Sequence, residues 1–184
     1  AGAEAKPTSQ AAAPKLKETG ARTEETFSVE TSLYAAVWSN KGGVLRSWKL
    51  NRHTDDKKGP LDLVPARAQE PGLYPFSLGG DDRNLARDLN AALFEASKTA
   101  LALKDGEQGE VRFSYSDGKT VRAEKVFRFT GGTYQVGIEL HVWKDGQEVM
   151  PTLLWGPGIG NPSPEEIKLR SAWGSSSWTK GTAV

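Results

Sequence analysis

Between residues 110 and 143 apolar and polar positions alternate so regularly that the direction of most side chains can be read off. In EVRFSYSD, Val111, Phe113 and Tyr115 take one side and Glu110, Arg112, Ser114 and Ser116 the other. In YQVGIELHVW, Tyr134, Val136, Ile138, Leu140 and Val142 alternate with Gln135, Gly137, Glu139, His141 and Trp143. Successive side chains of a strand point to opposite faces, so this period of two predicts half-buried antiparallel strands. A third strand is predicted over residues 120–129. There Val121, Ala123, Phe127 and Phe129 share a face that Lys125 interrupts, which predicts a bulge or a lysine whose amine snorkels to water.

Turn chemistry separates these blocks. SDGK at 116–119 and KDGQ at 144–147 carry the Asp-Gly pair that favours tight hairpins, and TGGT at 130–133 repeats the device. NKGG at 40–43 does the same between YAAVWS and VLRSWKL. Consecutive hairpins at this spacing predict a meander folded into a sandwich or barrel. One helix is expected in DDRNLARDLNAALFEASK, where Leu85, Leu89 and Leu93 recur every four residues, with Ala92 widening the stripe and Asn84 as cap. The preceding PARAQEPGLYPFSLGG, rich in proline and glycine, reads as a long loop.

The first 26 residues break the pattern. They hold Leu16 as their only large aliphatic residue, no aromatic, and four basic against four acidic groups. Such a segment buries too little apolar surface to offset its ordering entropy, and we expect a flexible tether at 1–26 and a β domain at 27–184. The chain opens on Ala1 rather than methionine, from which we expect processing or excision from a longer chain. A tether of this kind implies a partner held at a distance upstream, most commonly a membrane anchor.

Charge and composition narrow the chemistry. Lys and Arg number 24 against 23 Asp and Glu, giving +1, which lacks the basic footprint of a nucleic-acid binder. The densest basic stretch, residues 41–58, reads as a solvated strand face and loop. Cysteine is absent, which excludes disulfides and thiolate metal sites. The longest apolar run, LYAAVW, is far short of the roughly 18 residues a spanning helix needs.

LLWGPGIGNPSPEE is the segment most suggestive of an enzyme. Gly156, Gly158 and Gly160 would allow close approach to a phosphate, and SPEE resembles a helix start. Position 161 is asparagine where a dinucleotide fingerprint needs glycine, and no Gly-Lys-Ser/Thr follows. Glu165 and Glu166 put negative charge where a phosphate would sit. The bend formed by Gly156, Pro157, Gly158 and Gly160 is therefore read as a structural turn that needs no cofactor.

Glu139, His141 and Trp143 share the polar side of one predicted strand. A histidine beside a carboxylate could do acid–base work on a sugar, with the tryptophan as platform, and these three are the candidate residues of a concave binding face. A solvent-facing strand pair is the plainer reading. Only two histidines exist and no ligand set for a metal is grouped, so neither catalytic nor metal residues are expected. Among the six tryptophans, Trp38, Trp48 and Trp155 are expected in or beside the core.

VETSLYAAVWSNKGGVLRSWKL at 29–50 resembles the opening strands of the large periplasmic domain of YidC-type membrane protein insertases. LNAALFEAS, VRFSYSDGKTVRAEKVFRF, YQVGIELHV and LLWGPGIG continue the likeness in the same order. The resemblance implies a mainly β fold, an antiparallel β-supersandwich related to galactose mutarotases, with one short helix. The family's domain runs longer after the glycine bend, so KLRSAWGSSSWTKGTAV reads as an incomplete or altered end. The resemblance further implies a non-enzymatic domain on the periplasmic face of the Gram-negative inner membrane, without cofactor. It would assist insertion through contacts with Sec translocon subunits and nascent inner-membrane proteins. The rival reading is a carbohydrate-binding or mutarotase-like domain built on Glu139, His141 and Trp143.

Overall fold

A computed structural model describes residues 16–55, 58–68, 74–156 and 158–160. In chain order its elements begin with β1 (Thr26–Glu30), β2 (Tyr34–Ser39), β3 (Val44–Thr54), β4 (Pro60–Asp62) and β5 (Ser77–Gly79). Helix α1 (Arg83–Ala91) follows, then β6 (Glu95–Ala96), β7 (Ala100–Ala102), β8 (Gln108–Ser116) and β9 (Val121–Thr130). β10 (Val136–Lys144), β11 (Gln147–Val149) and β12 (Thr152–Leu154) complete the series. They form two five-stranded sheets, ordered β4-β3-β2-β1-β7 and β11-β10-β9-β8-β6, and a two-stranded ladder, β12-β5. The four turn signals all fall between consecutive strands, and the architecture is the mainly β sandwich with one short helix that the alternation predicts.

Alternation places the core between the sheets. Phe27 of β1 meets Phe113 of β8 edge-on at 6.3 Å, and Trp38 of β2 lies 5.6 Å from Phe127 and 5.3 Å from Phe129 of β9. These rings are almost wholly removed from water, as are Val29, Leu45, Val111 and Val142. Each large side chain so buried contributes about 1.5–3 kcal/mol. Trp48 packs on Tyr34 and Trp38, so two of the three tryptophans expected in or beside the core are buried, Trp38 fully. Among the described residues all strand pairings are antiparallel except β1 with β7, which the chain reaches by leaving β6 in one sheet and crossing to the other.

Four local expectations are corrected. First, Lys125 neither bulges nor snorkels. The β8–β9 and β9–β10 registers run through it without a shift, and it is fully buried. Its Nζ donates to the carbonyls of Gly42 at 2.6 Å and Phe76 at 2.7 Å, so main-chain oxygens replace the water it gives up. Burial without a carboxylate partner pulls its pKa down to about 7. Gly42 reaches the amine because it adopts φ +73°, and a Cβ there would lie 2.7 Å from Asn90 O.

Second, α1 is capped by Asp82 rather than Asn84, since Asp82 Oδ1 accepts from Leu85 N at 3.0 Å. Third, α1 ends before Leu93: Ala92 is extended, and Leu93 instead bridges to Lys41. Ala86 and Leu89 carry the buried face. Fourth, the proline-rich stretch is not all loop. It contains a 3-10 turn at Ala66–Ala68 and then β5, whose Leu78 main chain is held by both ends of the Asn90 amide at 2.8 Å.

The segment assigned to a tether by its composition is docked over residues 19–25. Thr19 exchanges main-chain hydrogen bonds with Ser116, and Ala21 N donates to Leu93 O. The buried Asn40 side chain accepts from Glu25 N and donates to Thr23 O. Glu24 takes a hydrogen bond from Ser39 and a salt bridge from Arg46 at 2.7 Å. Polar side chains on the β2–β3 turn thus fix a stretch that has no apolar anchor of its own. Residues 1–15 lie outside the described residues.

Candidate functional site

Glu139, His141 and Trp143 do project from one face of β10, the outer face of the second sheet. Each is engaged by a neighbour. Arg128 grips Glu139 through two parallel bonds of 2.6 and 3.0 Å and reaches Glu110 at 2.8 Å, and Arg112 extends the chain of charges from Glu110 to Glu124. The Arg128 hydrogen bonds hold the Glu139 carboxyl below the usual carboxylate range. His141 Nδ1 lies 2.7 Å from Glu148 on β11, and its ring stacks on Trp143 at 5.5 Å. The Arg122 guanidinium sits 3.7 Å from the centre of the Trp143 ring. The three candidates therefore stand in a ladder of side-chain pairs, with Val126 buried beneath it between Arg112 and Glu139. Among the described residues no group of three His, Asp or Glu side chains gathers as for a metal.

The glycine bend follows β12. Gly156, Gly158 and Gly160 all take positive φ, at 85°, 128° and 66°, which L side chains rarely adopt. Gly160 N donates to Leu63 O at 2.8 Å, so the bend carries the chain from β12 back to the residues after β4. Pro157 and the SPEE segment lie outside the described residues.

Sequence pattern did not single out an apolar rim beside this bend. Ile138 is on the inward face of β10, opposite Phe127, yet is 36% exposed. Trp155 stands edge-on to Phe76 at 5.3 Å, while Phe76 packs on Phe127 at 5.2 Å. Trp155 is 38% exposed and Ile159 52%. Tyr134 precedes β10 instead of starting it and is also exposed. Ile138 and Trp155 flank one buried aromatic pair without being covered, and Tyr134 lies 6.4 Å from the buried Tyr34 ring. Strict alternation marks Ile138 as inward-facing; it does not say where the opposing sheet stops.

The comparisons with known proteins agree with the fold. The YidC periplasmic domain family matches residues 26–153. A membrane protein insertase YidC from Pelobacter propionicus is 27% identical over 136 residues, 73% of this chain and 24% of that protein. The protein of the same name from Syntrophus aciditrophicus is 28% identical over 173 residues, covering 90% of this chain and 30% of its own length. That from Treponema denticola is 31% identical over 139 residues, 72% of this chain and 23% of the relative. The chain thus spans less than a third of the length of these relatives, and no helix among its described residues is long and apolar enough to cross a membrane. With the family matching more than two thirds of the chain, from the first strand to the last, this protein belongs to the YidC periplasmic domain family.

Proposed function

We propose that the chain serves as the periplasmic domain of an inner-membrane protein insertase in a Gram-negative envelope, acting by protein contact and without catalysis. Its partners are Sec translocon subunits and inner-membrane proteins emerging from them. The relatives' name, membrane protein insertase, supports the insertase context, and the uncovered rim at Ile138, Trp155 and Ile159 carries the contact role. Exposed aromatic and aliphatic side chains over a rigid aromatic base are the kind of surface on which protein partners anchor. The outer face of β10 is less suited, since Arg122 covers Trp143 and Arg128 occupies Glu139.

Site-specific photocrosslinking tests this reading in the full-length protein in cells. A photoreactive residue at Ile138 or Ile159 should yield adducts with translocon subunits or newly made membrane proteins. Adducts no more abundant than those from an exposed turn position such as Lys119 would remove the rim from the function.

A further inference from the structure

A groove of about 610 Å³ runs along α1 between β5 and the β2–β3 turn, and Lys41, Arg46, Arg83 and Arg87 all line it. Among the described residues no carboxylate does. Two of the cations have acidic partners just outside: Glu24 on Arg46 and Asp88 on Arg87. Among the described residues no ion pair engages Lys41 or Arg83, although the Glu24 carboxylate also feels the Lys41 charge, so four cations face two carboxylates. Such a setting recruits a phosphate, because guanidinium offers paired donors and ammonium adds a compact charge.

The other flank of the same helix differs. An adjoining slot of about 230 Å³ is lined by Leu85, Leu89, Val149, Met150 and Pro151 and, at its polar end, by Asp81 and the Asp82–Lys144 ion pair at 2.6 Å; it shares Gly79, Gly80 and Ala86 with the groove. On α1, Arg83 and Arg87 therefore turn toward a basic surface and Leu85 toward a partly apolar one whose Asp82 is already held by Lys144, and small residues join the two. A nucleotide fits less well, since the Tyr74 ring is already covered by Arg46 at 3.9 Å and offers no free face for a base. An anion continuous with an apolar tail matches both halves.

We propose that groove and slot together bind an anionic phospholipid. Its phosphodiester sits between Lys41 and Arg83, and the first part of one acyl chain lies against Leu85, Val149 and Met150. This goes beyond the protein contacts proposed above and does not depend on them.

The test uses the whole chain and vesicles of phosphatidylglycerol in phosphatidylcholine. Lys41→Gln with Arg83→Gln should weaken vesicle binding by about tenfold or more, since two charge-assisted contacts are removed. Arg52→Gln with Lys119→Gln removes the same net charge from exposed positions outside the groove and should change binding less than about threefold. Equal losses in the two double variants would mean attraction by overall charge and would overturn the site. A second arm titrates short-chain phosphatidylglycerol, below its micelle concentration, against inorganic phosphate. The lipid should bind at least about tenfold tighter, and Met150→Gln should weaken the lipid alone. Equal affinities, or a Met150→Gln variant indistinguishable from wild type, would reduce the groove to an anion site and overturn the lipid assignment.

Discussion

Two cations three residues apart on β9 show what a β-sandwich does with charge. Arg128 points outward into solvent and donates three short bonds to Glu139 and Glu110. Lys125 points inward, touches no carboxylate, and is held by main-chain carbonyls alone. Counting ion pairs would rank Arg128 as the stabilising residue. Desolvation reverses that order: exposed pairs contribute little, whereas removing a buried donor leaves acceptors stranded in a dry interior.

The comparison breaks most sharply at Lys125→Ala. Loss of the amine orphans the carbonyls of Gly42 and Phe76 and opens a cavity, so denaturant unfolding should show a loss of about 3–5 kcal/mol. A value below that of an exposed substitution would mean that the amine is not the tie between β9 and the two loops.

Next in size is the pH dependence. Burial lowers the folded pKa of Lys125 to about 7 from 10.5. Between those values the unfolded chain holds a proton that the folded chain lacks, so raising pH stabilises, by at most about 1.4 kcal/mol per pH unit. Below the window the amine is charged in both states and the burial penalty is full; above it the amine is neutral in both. Lys125→Met should remove this contribution, which paired unfolding curves at neutral and alkaline pH would reveal. An unchanged slope would show that the amine does not titrate there.

Smaller still is Arg128→Ala, which should shift the thermal midpoint far less than Lys125→Ala and by an amount that shrinks as salt is raised. A shift rivalling that of Lys125→Ala would make the outer ladder structural. The smallest expected effect concerns the same face as a ligand platform. Calorimetry with a panel of aldoses should show no saturable heat, because the sides of Trp143 are shared by Arg122 and His141. Saturable heat abolished by His141→Ala would restore the carbohydrate reading.

How much of this was legible follows from which interactions are local. Period-two alternation in β8 and β10 and the Asp-Gly turns gave strands, hairpins and inward residues, since each depends on neighbours in sequence. Lys125 was misread because its partners, Gly42 and Phe76, lie 83 and 49 positions away. The docking of residues 19–25 was missed for a like reason: Asn40 and Ser39 supply the hydrogen bonds, and composition counts only apolar area. The groove escaped notice because Lys41, Arg46, Arg83 and Arg87 converge only when α1 settles beside β5. On the β10 face the sequence placed Glu139, His141 and Trp143 together, as alternation requires, but Arg122, Arg128 and Glu148 come from adjoining strands.

Phe76 stands where outside and inside meet. It takes φ +70°, a conformation costly for a bulky side chain, and is fixed there by its amide on Leu154 O and its carbonyl on the Lys125 amine. Its ring bears Trp155 on the rim and Phe127 in the core. Phe76 therefore joins the exposed indole to the buried amine, so that a replacement at this one position would disturb rim and interior together.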